Sequence, residues 1–186
     1  MTNLIGNCSI PSYTGSQVGW EGEVNPAKDG KGEFSDVKLS PKRLTAYIDI
    51  SKQFLNQDSV SAEEMLKRDI VNAITEKLES TILGSVAGDT EKPGGLFVNA
   101  TAATITHAGI VAMEQELEEK NVSGDFKFIV SPSIKAKLKT TALDAGSGKF
   151  LMEGNEVNGY PVLSTSACSG IIFGNFADLV IAQWGA

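Results

Sequence analysis

Apolar side chains recur at spacings of three and four through Ala62, Leu66, Ile70, Ala73, Ile74, Leu78 and Ile82. On a helix that turns once every 3.6 residues, these positions form one stripe on a charged surface, so residues 60–86 hold the strongest helix in the chain. Three signals agree on its start: Ser61 as N-cap, Glu64 three residues later to close a capping box, and Val60 with Met65 as a hydrophobic staple. The periodicity fades in GSVAGD, which gives a helix of about 24 residues and roughly 36 Å. Its pattern supplies no nucleophile, base or cluster of metal ligands, so the helix reads as a spine along which other elements pack.

Upstream, the pattern changes to period two. In SQVGWEGEV, residues 16–24, Val18, Trp20, Gly22 and Val24 alternate with Gln17, Gly19, Glu21 and Glu23, which predicts a strand. NPAKDGKGE, residues 25–33, has turn formers and charges but no core residue and predicts an exposed tip. A second alternating segment covers residues 34–50, with Phe34, Val37 and Leu39 before Pro41 and Leu44, Ala46, Ile48 and Ile50 after it. Residues 16–50 are therefore expected to form an extended β-hairpin, preceded at residues 1–15 by a tether or short edge strand. A hairpin of this length is marginal alone in water. Trp20 and Phe34, two large aromatics near its loop, call for cover from the protein body or from a neighbour.

The second half reads as a small α/β unit. DTEKPGGLFVN, residues 89–99, is a Gly/Pro turn region where the domain is expected to change. Thr106 caps a helix running to about Lys120, with Ile110, Met113 and Leu117 on its buried face and the acidic run EQELEEK exposed. FKFIV, residues 126–130, reads as a buried strand, and Ser131 with Pro132 opens a third helix. Strands are expected at residues 160–164, 171–174 and 179–183. DAGSGK, residues 144–149, is a flexible loop that lacks the GxxxxGK[ST] spacing of a phosphate cradle. His107 sits at the first helical position without a second imidazole or cysteine near it in sequence, so a surface role is expected.

Composition narrows the classes. The 186 residues are 41% hydrophobic and 21% charged, as in an ordinary globular protein, and can form one domain or two small subdomains. The net charge of -7, without a basic cluster, argues against a general nucleic-acid binder. Cys8 and Cys168 are isolated and the chain has one histidine, so two plain reduced thiols are expected, with neither a disulfide framework nor a zinc site. No apolar run approaches the ~20 residues of a spanning helix, and the N-terminus lacks the basic and apolar regions of a signal peptide. The default compartment is the cytoplasm.

Taken in order, GWEGE...F..V.LSPKRLTAYIDIS, the long helix, GGLF, FIVSPS, GKFLMEGNEVNGYPVLST and IIFGNFADLVIAQW resemble the major capsid proteins of tailed phages, of the Hong Kong 97 type. The resemblance covers nearly the whole chain. It implies an α+β fold in which residues 16–50 are the extended loop that reaches over an adjacent subunit. Residues 51–97 become the spine-helix peripheral domain, and residues 98–186 an axial domain of a small mixed sheet flanked by helices. It implies a virion subunit, assembled in the bacterial cytoplasm, that encloses DNA without gripping it and needs no enzyme activity, cofactor, metal or membrane. Its partners would be other copies of itself, together with a scaffold or a maturation protease. Assembly contacts are expected at Trp20, Glu21, Glu23, Lys28, Lys31, Phe34 and Lys42. One founder-type phage also cross-links a loop lysine to an asparagine of a neighbour; most relatives lack this chemistry, and it is not expected of Lys28 or Lys31. The usual N-terminal arm and C-terminal return are absent from this stretch, which reads as a core fragment. Two alternatives stay open: an encapsulin-like compartment shell with the same fold, and an α+β small-molecule-binding domain, for which Asp49, Glu114 and Glu116 are the candidate polar groups.

Overall fold

The computed structural model describes the chain except residues 16, 17, 19, 21, 22, 24, 25, 27–29, 31, 51–60, 145, 147, 185 and 186, and the side chains of residues 61 and 62. Two compact units emerge: Met1–Pro41 with Val180–Ala186, and Lys42–Leu179.

The first unit is built on an antiparallel ribbon of β1 (Cys8–Tyr13) and β2 (Phe34–Leu39), registered from Cys8 opposite Leu39 to Tyr13 opposite Phe34. Thr14 and Glu33 close the end of the ribbon, where the Glu33 N–H donates to Thr14 Oγ1 at 2.8 Å and the Thr14 N–H donates to the Glu33 carbonyl at 3.0 Å. The chain ends are tied together at the other side. Leu4 bridges Trp184 in parallel, the Gln183 N–H donates to the Met1 carbonyl at 2.9 Å, and the Trp184 indole donates to the Gly6 carbonyl at 2.6 Å.

These positions correct three expectations. The first hairpin strand lies at Cys8–Tyr13, in the segment read as a tether or short edge strand, while the strand expected at residues 16–24 falls largely outside the described residues, and Val18 and Trp20 carry no strand. Pro11 hid β1 from the sequence pattern; a two-stranded ribbon tolerates it because each strand keeps an open edge. Beyond β2, residues 42–50 carry no strand despite their alternation. Pro41, which cannot donate a ladder hydrogen bond, ends the pairing, and the Lys42 ammonium is drawn to the Asp89 and Thr90 carbonyls, each at 2.9 Å. Residues 179–183 likewise form no strand. Asn175 turns the chain there into a 3-10 turn, Phe176–Asp178, with its Oδ1 accepting from the Ala177 N–H at 3.2 Å and its Nδ2 donating to Asp178 at 2.9 Å.

The second unit begins with α1 (Ser61–Ile82), whose bounds match the amphipathic pattern. Leu66, Ile70 and Ile74 form its least exposed line yet are only half-buried, and Leu78 is exposed; among the described residues here the first buried side chain is Leu83, just past its end. The GGLF turn receives that end. The Leu96 N–H donates to the Ile82 carbonyl at 2.8 Å and the Phe97 N–H to the Gly84 carbonyl at 3.1 Å, satisfying carbonyls that the helix leaves open. Gly95 has to be glycine here, because a Cβ would overlap the Gly84 and Thr81 carbonyls. From the same end, the Leu83 carbonyl accepts from the Ser169 N–H at 3.1 Å, linking the helix to the loop before the last strand.

Two further helices and a four-stranded sheet complete the unit: α2 (His107–Glu119), β3 (Phe126–Val130), α3 (Pro132–Thr140), β4 (Glu156–Val157), β5 (Tyr160–Ser164) and β6 (Ile171–Asn175), in sheet order β4-β5-β3-β6. The expected caps form. Thr106 accepts from the Gly109 N–H at 3.2 Å, Ser131 accepts from the Ile134 N–H at 3.4 Å, and Pro132 occupies the first turn of α3. β3 and β5 are parallel, which requires a crossover, and α3 supplies it. β4 and β5 are joined through Asn158 and Gly159 at φ 49° and 83°, the left-handed pair that a tight hairpin turn demands and that Asn-Gly supplies at least cost.

The core follows from strand parity. Phe128 stands opposite Val162 on one side and Phe173 on the other, and Val130 lies opposite Ile171. Phe128, Val130, Ile110 of α2 and Leu138 of α3 are fully buried in one cluster with Leu151, Met152, Val157 and Val162. Phe128 stacks on Phe173 with centroids 4.3 Å apart, and Tyr160 meets Phe173 edge-on at 4.9 Å, both favourable ring geometries. Both helices thus pack on the same face of the sheet. On the other face, Leu163, Ile129 and Ile172 line up in register outside that cluster, with Leu163 exposed.

Candidate assembly surface

The most fully exposed apolar side chains lie largely on the hairpin unit. Trp20 is fully open at 103% relative exposure, Val18 is 95% exposed and Phe34 is 81% exposed. Phe34 leads into β2 and its ring lies against Tyr13, centroids 4.6 Å apart, so one ring face is held by its own chain and the remainder is free. Gly32 leaves room for the Tyr13 ring, which a Cβ at that position would strike. Leaving an indole and a phenyl ring in water forfeits about 1.5–3 kcal/mol of burial free energy for each.

The other sequence-derived contact residues divide. Glu23 lies in an exposed turn, and Glu21, Lys28 and Lys31 fall outside the described residues. Lys42 is engaged within its own chain, where its ammonium clasps the 89–90 carbonyls and acts as a positioning residue for that turn. The surface holds apolar groups that the sequence reading passed over: Val18 and Val37 in the hairpin unit, and in the second unit Met65 and Val71 on α1 and Leu163 on the outer sheet face. Val18 had been placed in an alternating strand and Leu163 in a closing sheet; period two alone does not say whether a second layer covers the face.

Asp89 organises the turn that Lys42 grips. Its Oδ1 accepts from the Lys92 N–H at 2.9 Å and the Glu91 N–H at 2.8 Å. The Lys92 amide first, and the Glu91 amide with it, hold the carboxyl below the usual carboxylate range. A depressed folded-state pKa means that the stabilising contribution is complete above the unfolded value, about 4, and is lost as pH falls through the folded value. Amide exchange protection at Glu91 and Lys92 is therefore expected to persist at neutral pH and to vanish under acid, while Asp89→Ala removes it throughout. Protection in the alanine variant equal to wild type, measured by NMR at neutral pH, would refute the carboxylate as the organiser.

Sites for catalysis or small ligands are thinly supported. Among the described residues no polar or charged side chain is buried, and no group of three His, Cys, Asp or Glu stands close enough to hold a metal ion. Glu114 is half-buried and accepts from Asn158 Nδ2 at 2.9 Å, while Glu116 is exposed and pairs with Lys120 at 2.8 Å. An open cleft of about 250 Å³ lies between Phe150, Leu151, Glu153, Glu156 and Asn158, and its polar members are all exposed to water. Small-molecule sites are typically about 300–1,000 Å³ and largely apolar. The Cys168 thiol is pushed up by burial and donates to the Gly170 carbonyl at 3.3 Å, whereas Cys8 is half-buried; both are free. No described helix is long and apolar enough to cross a membrane.

The combination of a two-stranded hairpin, one long helix and a small mixed sheet backed by two helices is matched by solved capsid chains. The capsid of the native GTA particle superposes with a TM-score of 0.74 at 14% identity, over 95% of this chain and 70% of that chain. The capsid of the empty GTA particle gives 0.73 at 16% identity over the same shares. The phage capsid family matches residues 1–186, and the chain belongs to it. It is similar at 26% identity over 195 residues to the major capsid protein of Halomonas phage phiHAP-1, an alignment covering 100% of this chain and 32% of that protein. The major capsid protein of Klebsiella oxytoca phage phiKO2 is 26% identical over 208 residues, covering 97% of this chain and 48% of that protein. The chain thus spans about a third to a half of the length of these curated relatives.

Proposed function

We propose that this chain is part of a structural subunit of a tailed-phage or prophage capsid, which self-assembles through lateral contacts into a shell enclosing the viral genome. The observation that carries the reading is the open Trp20 and Phe34 on the hairpin of a chain that belongs to the phage capsid family from end to end. Binding between copies is the whole activity: apolar surface left in water by one subunit is removed from water by the next, and repetition of that contact builds the shell. The net charge of -7 suits a wall that surrounds DNA without adhering to it, since phosphate binding requires a basic face. Assembly takes place in the host cytoplasm, with a scaffold or protease as further partners, and the product resides in the virion.

The test is expression of the full natural protein carrying these residues, with its neighbouring phage genes, followed by electron microscopy and light scattering. Closed particles tens of nanometres across are expected. A species that remains monomeric or dimeric under all salt and scaffold conditions would overturn the reading.

A further inference from the structure

Of the asparagines in the chain, only Asn158 is followed by glycine. The pair makes the exposed turn between β4 and β5, which Val157 opposite Tyr160 closes. Gly159 has no side chain to shield its backbone nitrogen, and no hydrogen bond among the described residues engages its N–H. The Asn158 amide is held from across the unit: its Nδ2 donates at 2.9 Å to Oε1 of Glu114, half-buried on α2. An electrophilic amide carbon thus stands one residue from an unshielded, unpaired nucleophile.

We propose that Asn158 is a deamidation site, held back by the closed turn and by Glu114, whose product loosens the β4–β5 hairpin from α2. In the first step the Gly159 nitrogen gives its proton to water and bonds to Cγ of Asn158, the Cγ–Nδ2 bond breaks, and Nδ2 leaves as ammonia. Water then opens the cyclic imide at either carbonyl, so the net reaction consumes one water, leaves aspartate or isoaspartate and oxidises nothing. The fold sets the rate. Asn158 has φ 49°; left-handed backbone, with ψ about +47°, turns Cβ away from the following nitrogen, so ring closure waits until the turn opens. β4 has two residues, and short exposed pairings of this kind open at low free energy. The product matters because of its surroundings. A group that donated to the Glu114 carboxylate becomes a second carboxylate with no proton to give. Glu153 and Glu156 line the cleft beside it, with Lys149 the cation among them. Like charges this close disfavour the closed arrangement. The modification stands or falls independently of how copies associate.

The test incubates the full natural protein beside a synthetic peptide of residues 153–163 at mildly alkaline pH, and follows residue 158 over time by peptide mass spectrometry and enzymatic isoaspartate methylation. Asn158 is expected to convert ahead of every other asparagine, more slowly than in the peptide, and about two- to tenfold faster in Glu114→Ala, which removes one hydrogen bond. Circular dichroism establishes that this variant is folded, and Glu114→Gln, a weaker acceptor, gives a second reading with a smaller acceleration. No conversion in the protein while the peptide converts fully would overturn the site. Conversion at the peptide's rate would overturn the brake, and an unchanged rate in both Glu114 variants would remove Glu114 from it. Urea unfolding of Asn158→Asp reads the consequence: its midpoint is expected below wild type, with recovery in Glu114→Gln/Asn158→Asp, where the glutamine amide donates to the new carboxylate. A midpoint equal to wild type, or no recovery in the double variant, would overturn the loosening.

Discussion

Trp20→Ala is expected to abolish particle formation while leaving the folded subunit unchanged in stability to within about 0.5 kcal/mol. The asymmetry follows from where the indole sits. At 103% exposure it has nothing to lose inside the isolated chain, and its removal opens no cavity. In a contact between copies, a buried tryptophan at the centre typically contributes about 2–4 kcal/mol, which is a weakening of about 30- to 1,000-fold. A shell repeats the same contact at every subunit, so the loss compounds and particle yield falls below detection. Phe34→Ala is expected to act in the same direction with a small cost to the subunit, about 0.5–1.5 kcal/mol, because its ring already pairs with Tyr13 at 4.6 Å. Sedimentation and urea unfolding of the subunit, beside electron microscopy of the assembly reaction, separate the two effects. Unfolding of the Trp20→Ala subunit, or normal particles from it, would remove the indole from the lateral contact.

How much of this was legible in the sequence depends on how local the cause was. α1, the Thr106 and Ser131 caps and FKFIV were readable because each rests on a short-range rule of period or cap chemistry. β1 was legible only as one of two readings, a tether or a short edge strand, since Pro11 and the small polar residues of CSIPSY give no alternation; its pairing with β2 is specified across the loop. Residues 42–50 failed in the opposite sense. They alternate cleanly, yet Pro41 and the Lys42 clasp on the 89–90 carbonyls end the ladder before they begin. Among the expected contact residues, Trp20 and Phe34 stood out as large aromatics near a polar tip, a correct guide to exposure. Lys42 looked like another surface cation, and only the folded turn at Asp89 gives it an internal role. The apolar stripe of α1 shows the limit of periodicity: the pattern names the face that can be covered, and within this chain that face stays half-open.

Phe128→Ala should produce the reverse of the Trp20 result, a subunit that loses about 3–5 kcal/mol and falls short of assembly because it no longer folds stably. Phe128 is fully buried, lies between Val162 and Phe173 in the sheet register and stacks on Phe173 at 4.3 Å. Truncation removes the ring from the middle of the cluster that joins α2, α3 and the sheet, so both the transfer free energy and the emptied volume count against the fold. Against a typical domain stability of about 5–15 kcal/mol, that loss is a large fraction of the total. Phe128→Leu, which keeps most of the apolar volume, is expected to cost less than half as much. The measurement is urea unfolding of wild type and both variants, read as a shift in midpoint at constant slope. Equal midpoints for wild type and alanine would show that this cluster does not hold the unit together. A large shift for Phe128→Ala and none for Trp20→Ala separates two kinds of aromatic residue in this chain: one ring is buried inside the subunit, the other is left open on its surface.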